Sequence, residues 1–125
     1  MAAQSLVKKS YTDPINTFKT NSIGTLNILK ASEKSKSLKA IVLITSDKVY
    51  KNVETNKGYK ETDILMGNDP YSASKSCAEI IINMYLNSYT NNKKVKICTT
   101  RAGNVIGGGD WSKDRIIPDL IKSLI

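Results

Sequence analysis

The chain has 125 residues, of which 40% are hydrophobic and 24% charged, and 19 basic against 11 acidic side chains give a formal net charge of +8. This length gives room for one domain, and no apolar run approaches the roughly 18 residues that a membrane span needs. No charged and apolar leader opens the chain, so we expect a cytoplasmic protein. The chain contains no histidine, which excludes histidine-based triads and most zinc sites.

The lysines are spread along the sequence rather than gathered in an arginine-rich tract. This distribution indicates a solvated lysine surface, is compatible with an anionic substrate such as a nucleotide diphosphate, and gives no support for nucleic-acid binding. Cys77 and Cys98 have neither metal-type nor paired spacing. We expect both to be small, reduced core residues, and we predict no metal site.

Asp13-Pro14 is typical of a helix start, and the apolar residues that follow predict a helix to about Ser32. Gly24 inside this helix predicts close packing against a neighbour. The continuous apolar run from Ala40 to Ile44 predicts a strand buried on both faces of a parallel sheet.

Asp69-Pro70 predicts a second helix start, and an apolar face extends this helix from Tyr71 to about Tyr89. Residues 95–100 predict a second strand, which makes the order strand, helix, strand, a parallel crossover that should be right-handed. A loop with three glycines at 107–109 follows, and an apolar helix begins near Ile116. The glycines lack the helix-opening continuation of a phosphate-binding loop, so they indicate a flexible connection.

Tyr71 and Lys75 lie one helical turn apart, so the ammonium can favour ionisation of the phenol and make it a base near neutral pH. The spacing alone is weak, because Tyr89 and Lys93 share it and a lysine stem often packs on a ring in an exposed helix. The position of Tyr71 and Lys75 in the chain favours a functional role for the pair, because they begin the helix between two strands that both end in polar residues. Ser46-Asp47-Lys48 follows one strand and Asn104 the next, and ligands bind beyond the carboxyl ends of parallel strands.

These residues resemble the extended short-chain dehydrogenases/reductases, and within them the nucleotide-sugar 4,6-dehydratases of the CDP-glucose branch. The resemblance covers essentially the whole chain. It is carried by five segments: residues 2–4, Thr20-Asn21-Ser22-Ile23-Gly24-Thr25, Thr45-Ser46-Asp47-Lys48-Val49-Tyr50, Tyr71-Ser72-Ala73-Ser74-Lys75, and residues 101–111, read as RAGNVIGGGDW.

The resemblance implies an α/β fold, a partial Rossmann-like doubly wound parallel sheet. Residues 1–125 would be the central fragment of one NAD(P)-binding domain, and the substrate-binding region would start at about 107–125. The N-terminal strands of the family, its glycine fingerprint and most of its substrate domain are not in this sequence. We therefore expect the chain alone to retain no NAD and to be inactive.

The resemblance also implies an internal redox cycle with NAD that converts CDP-glucose to a 4-keto-6-deoxy sugar, a lyase reaction of nucleotide-sugar metabolism and polysaccharide biosynthesis. Tyr71, assisted by Ser46 and oriented by Lys75, would take the proton of the C4 hydroxyl, and Asp47 would protonate the departing C6 hydroxyl. Lys48 stands where most dehydratases have the glutamate that deprotonates C5. Its role is open between that base and a charged contact to the diphosphate or the nicotinamide pocket.

The remaining residues carried over by the resemblance bind ligands. The cofactor would contact Ala2, Ala3, Thr20, Tyr71, Lys75 and Val105, and the substrate would contact Ser46, Asn104 and Arg115. Ordinary helix, loop and surface roles remain open for several of them, as they do for Trp111. A nucleotide sugar is the expected partner, full-length relatives are expected to be homo-oligomers, and neither nucleic acid nor membrane is expected.

Two alternatives remain. A 4-epimerase or reductase of the same superfamily would use Tyr71 and Lys75 but would need no acid after Ser46. A truncated, non-catalytic protein is the other, and the missing glycine fingerprint favours it.

Overall fold

A computed structural model describes residues 2–89 and 95–124, so Lys93, and with it the Tyr89–Lys93 pair, lies outside the described residues. The elements in chain order are α1 (Val7–Thr12), α2 (Pro14–Phe18), a π-helical turn (Lys19–Ile23), α3 (Gly24–Ser32), β1 (Ala40–Ile44), a 3-10 turn (Asp47–Val49), α4 (Pro70–Tyr89), β2 (Lys96–Thr100) and α5 (Ile116–Leu124). The predicted α/β class and the order strand, helix, strand are confirmed.

The two strands pair in parallel, in a register that joins Ala40 to Lys96 and Ile44 to Thr100. Their carboxyl ends therefore lie side by side. Two further backbone hydrogen bonds prolong the pairing beyond the strands, from Thr45 N to Thr100 O at 2.8 Å and from Asp47 N to Ala102 O at 3.0 Å. The residues after β1 are thus fixed relative to those after β2.

The helix predicted from Asp13 onward forms, and the Asp13 carboxylate caps it by accepting a hydrogen bond from Asn16 N. Between α2 and α3 the chain makes the π-helical turn without leaving the helical conformation. The prediction of close packing at Gly24 is wrong, since a Cβ there would meet only Lys19 O, at 3.6 Å. The first helix, α1, was not expected from the sequence.

The apolar core lies on one face of the sheet, where α3 and α4 pack. Leu29, Ile82 and Tyr85 are fully buried, and five partly buried side chains surround them: Leu26, Leu43, Ile81, Leu86 and Ile97. The apolar face predicted for α4 is therefore confirmed.

The opposite face of the sheet is exposed in the described structure. Val42 is 57% exposed and Ile44 41%, so the prediction that the first strand is buried on both faces is wrong. The physical reason is that both packing helices cover the same side. Cys98 also lies on the exposed face and Cys77 is partly buried, so only Cys77 approaches the predicted core position; both are free thiols.

Helix α5 presents an amphipathic pattern without buried residues, and Leu120 and Leu124 are 53% and 85% exposed. Among the described residues, no helix is both long and apolar enough to span a membrane.

Candidate functional site

The start of α4 is fixed by a capping carboxylate and by close packing of the preceding loop. Asp69 Oδ1 accepts hydrogen bonds from Tyr71 N at 2.9 Å and Ser72 N at 3.0 Å, and Asp69 Oδ2 accepts one from the Ser72 hydroxyl. A Cβ on Gly67 would lie 2.3 Å from Ser72 C. The backbone at residue 67 therefore admits only glycine. The position of Tyr71 is set by the Asp69 cap and by the packing of Gly67 against the next residue, Ser72.

Lys75 lies at the carboxyl end of β1. Its side chain is buried, the residue being 7% exposed, and Nζ donates a hydrogen bond to Ile44 O at 3.2 Å. Burial lowers the pKa of the Lys75 ammonium below its ordinary value. Tyr71 is partly buried one turn earlier, and within the described residues its hydroxyl forms no hydrogen bond with Lys75 or Asp47.

The residues after β1 are held by both α4 and β2. Ser76 Oγ of α4 donates to Val49 O at 2.9 Å, which attaches the 3-10 turn to the helix. Ser46 is buried, and its Oγ accepts a hydrogen bond from Lys48 N and donates one to Asp47 Oδ1 at 3.2 Å. Asp47 and Lys48 are exposed.

Asp47 points toward the loop that follows β2. A Cβ added to Gly103 would lie 3.7 Å from Asp47 Oδ2, so the carboxylate is next to the residue that precedes Asn104. The structure therefore brings Ser46, Asp47, Lys75 and the start of the Asn104 loop to one edge of the sheet. This edge is the one that the sequence predicts.

Two residues that the sequence analysis did not select, Glu79 and Arg101, form an ion pair at the same edge, in which Glu79 is buried and Arg101 partly buried. Arg101 Nε and Nη2 donate to the two carboxylate oxygens of Glu79 at 3.1 and 3.0 Å. Thr45 Oγ1 donates to the same carboxylate at 2.5 Å. The spacing of four residues from Lys75 places Glu79 on the same face of α4 as Lys75, and this was the only signal in the sequence.

Asn21, in the π-helical turn, connects the N-terminal segment to α4. Its side chain accepts a hydrogen bond from Gln4 N at 2.9 Å and donates to Gln4 O at 3.0 Å and to Ser74 Oγ at 2.9 Å. Ser74 Oγ in turn donates to Tyr71 O at 2.7 Å. Ala2, Ala3 and Thr20 are exposed beside this network, so the predicted cofactor residues near the N-terminus adjoin the start of α4.

The segment after β2 is less closely attached to the site. Val105 is 80% exposed and Asn104 is also exposed. Arg115 donates to Ser5 Oγ at 2.9 Å and lies 3.3 Å from Asp110 Oδ2, which places it beside the N-terminal segment rather than beside Asp47. Trp111 is exposed, with the Lys122 ammonium 6.0 Å from its ring centre.

A cleft of about 410 Å³ opens on the Asp47 side of this edge, lined by Asp47, Tyr50, Tyr59, Glu61, Thr99 and Arg101. Of the predicted catalytic residues only Asp47 lines it. Among residues 2–89 and 95–124, no three Cys, Asp or Glu side chains are grouped as a metal ion would require.

The sequence matches a family model described as GDP-mannose 4,6 dehydratase over residues 1–120. The chain belongs to this family. One similar protein is the CDP-glucose 4,6-dehydratase of Salmonella typhimurium, with 48% identity over 128 aligned residues, covering 98% of this chain and 36% of that protein.

Solved structures share the fold. The dTDP-glucose 4,6-dehydratase DesIV of Streptomyces venezuelae, crystallised with NAD, superimposes with a TM-score of 0.84 at 25% identity over 99% of this chain and 36% of that one. The UDP-glucose 4-epimerase of Thermus thermophilus, also with NAD, has a TM-score of 0.76 at 31% identity, over 91% of this chain and 36% of that one. The chain therefore spans about a third of the length of these family relatives.

Proposed function

We propose that this chain is the central segment of an NAD-dependent nucleotide-sugar 4,6-dehydratase that acts on CDP-glucose, with its substrate-binding region starting at about residue 107. One observation carries the proposal most directly. Lys75 of α4 is hydrogen-bonded to the last residue of β1, which attaches the helix that bears Tyr71 to the strand end that bears Ser46 and Asp47. The 48% identity to the Salmonella enzyme supports the choice of substrate.

The residues of this edge fit a dinucleotide. The N-terminal segment is tied through Asn21 to α4, and Ala2, Ala3 and Thr20 are exposed in the segments that this network joins to the helix. The Lys75 ammonium has three donors and makes one hydrogen bond within the described structure, so the others suit ribose hydroxyls. When bound, NAD would accept the hydride from C4 of the sugar and return it to C6.

The side chains of this chain would move the protons. Tyr71 would take the proton of the C4 hydroxyl with Ser46 as hydrogen-bond partner, and the C4 ketone would acidify the hydrogen at C5. Asp47 would donate a proton to the departing C6 hydroxyl, so that water leaves across C5 and C6. Its exposed carboxylate between the two strand ends suits a group that meets the substrate rather than one that stabilises the fold.

Lys48 occupies the position at which a base that removes the C5 proton would be expected. A lysine acts as a base only after burial or a neighbouring cation has lowered its pKa. Loss of water requires a group that accepts the C5 proton, and Lys48, which is exposed in this structure, would accept it only as the neutral amine after bound substrate has desolvated it. If Lys48 instead stays charged against the substrate diphosphate, the base for C5 lies outside residues 1–125.

A 4-epimerase is the second candidate, favoured by the 31% identity to the Thermus epimerase. This reaction also needs Tyr71 and Lys75 but needs no acid at Asp47. The two candidates therefore differ in the product and in the role of one carboxylate.

A chimera tests the proposal, since the chain spans 36% of the Salmonella enzyme. Residues 2–124 replace the matching segment of that enzyme, and CDP-glucose is the substrate. We expect a product that has lost one water, and a loss of about 100-fold or more in kcat for Tyr71→Phe, as for removal of a general base. Tyr11→Phe, at a tyrosine that is 64% exposed, is the matched control. A chimera that binds NAD and yields only an epimer, or no product, would contradict the proposal.

A further inference from the structure

Glu79 joins three elements at the site through one buried carboxylate. It is 5% exposed and lies one turn after Lys75 on α4. Arg101 reaches it from the residue after β2, and Thr45 from the residue after β1. The carboxylate is therefore the point at which the helix of Tyr71 and the two strand ends meet.

Thr45 and Arg101 each precede a predicted site segment directly. Thr45 leads into Ser46 and Asp47, and its Oγ1 also lies 3.2 Å from Thr100 O. Arg101 leads into Ala102, whose carbonyl holds Asp47 N, and then toward Asn104. Displacement of the carboxylate would move both segments relative to α4.

Arg101 also contacts the loop whose residues Tyr50, Tyr59 and Glu61 line the cleft together with Asp47. Its Nη1 donates to Tyr50 Oη at 2.8 Å and to Glu61 O at 3.0 Å. The guanidinium lies 4.9 Å from the ring centre of Tyr50, which stacks on Tyr59 at 4.8 Å. The wall of the cleft formed by Tyr50 and Tyr59 is therefore attached to the same ion pair.

The electrostatics keep the pair ionised. Burial disfavours the Glu79 carboxylate, but the hydrogen bonds from Arg101 and Thr45 outweigh it and hold the pKa of Glu79 below its ordinary value. The hydrogen bond to Glu79 raises the pKa of Arg101. A buried ion pair contributes little net stability compared with apolar residues of the same shape, so stability alone does not explain its presence beside the site.

We infer that Glu79 and Arg101 are positioning residues that set where Asp47 and the Tyr50–Tyr59 wall of the cleft lie relative to Tyr71 and Lys75. The inference rests on the proposed function for the roles of Asp47, Tyr71 and Lys75. Neither Glu79 nor Arg101 is assigned a proton transfer. Their effect would fall most strongly on the dehydration step, because Asp47 of the strand-end segment itself transfers the proton there, whereas in the C4 oxidation this segment supplies only Ser46, the hydrogen-bond partner of Tyr71.

The first test is independent of activity. Amide hydrogen exchange of the chain is compared for wild type, Glu79→Gln and Asp114→Asn, the last removing an exposed ion pair with Lys8. We expect Glu79→Gln to raise the exchange rate of the Asp47 amide about 10-fold relative to amides of Leu29 and Ile82. Equal acceleration at all of these amides, or none, would overturn the inference.

The second test uses the chimera and measures the two half-reactions. Misplacement of a reacting group by about 1 Å costs on the order of 100-fold in rate. We expect Glu79→Gln and Arg101→Lys to lower the rate of water loss by at least about 10-fold, to leave the oxidation at C4, followed as NADH formed in a single turnover, within about 3-fold, and to change KM little. Glu54→Gln, at an exposed glutamate outside the proposed site, should leave both rates unchanged.

The outcomes distinguish a failure of the positioning role of Glu79 and Arg101 from a failure of the proposed function. Equal losses in both half-reactions, or a change in the amount of folded enzyme with unchanged rates per folded site, would assign the pair a purely structural role. An inactive wild-type chimera would refute the proposed function, and the exchange measurement on the chain would still decide whether the pair holds Asp47 in place.

Discussion

Asn21 offers a quantitative test of how the N-terminal segment is attached to the site. The residue is 3% exposed, and its side chain makes three hydrogen bonds, two with the Gln4 backbone and one with Ser74 Oγ. Asn21→Ala removes all three. A net value of about 1 kcal/mol for each hydrogen bond gives a loss of about 3 kcal/mol in the free energy of unfolding, less a few tenths of a kcal/mol for the higher helix propensity of alanine.

The assay is urea denaturation of the chain followed by circular dichroism, in an osmolyte such as trimethylamine oxide that favours the folded state. Asn27→Ala, at an exposed asparagine of α3, is the control and should change stability by less than about 0.5 kcal/mol. Amide exchange should also accelerate at Gln4 and Leu6 in Asn21→Ala. A loss no larger than that of the control would refute the idea that this side chain connects the N-terminal segment to α4.

Three further predictions concern the stability of the chain and its dependence on pH. Gly67→Ala should destabilise the chain by about 3 kcal/mol or more because its Cβ would overlap the α4 backbone, whereas Gly58→Ala, with open space around it, should not; equal denaturation midpoints would contradict this. Burial lowers the pKa of Lys75, so the unfolded chain binds the proton more tightly, and the free energy of unfolding should rise with pH toward about 10.5. That rise should disappear in Lys75→Met, as measured by denaturation at pH 8 and pH 10. Burial and then the Glu33 carboxylate raise the pKa of Tyr85 to about 12, so the free energy of unfolding should fall by roughly 2 kcal/mol as pH rises from 10 to 12. Denaturation of Tyr85→Phe over the same range should lack this fall; an identical fall would show that other groups cause it.

Local signals in the sequence predicted the scaffold of the site. Asp69-Pro70 carries its own capping chemistry, so the start of α4 follows from two adjacent residues, and the run from Ala40 to Ile44 fixes a strand by composition. The strand order then places the polar residues after each strand at one edge. These inferences need only neighbouring residues and the rule for parallel sheets.

The parts that the sequence did not reveal depend on contacts between distant segments. Glu79 and Arg101 are 22 residues apart, and each alone resembles a surface charge. Asn21 is buried within a π-helical turn, which no local sequence signal indicated. The exposure of Val42 and Cys98 reflects the packing of both helices on one side of the sheet, a tertiary feature that an apolar run cannot report.

The most direct test of the proposed function is the Asp47→Asn variant of the chimera with CDP-glucose, observed in a single turnover. If Asp47 is the acid of the dehydration, C4 oxidation proceeds and NADH accumulates, while loss of water falls by about 100-fold or more. Loss of water at the wild-type rate in Asp47→Asn would contradict the proposed role of this edge of the sheet.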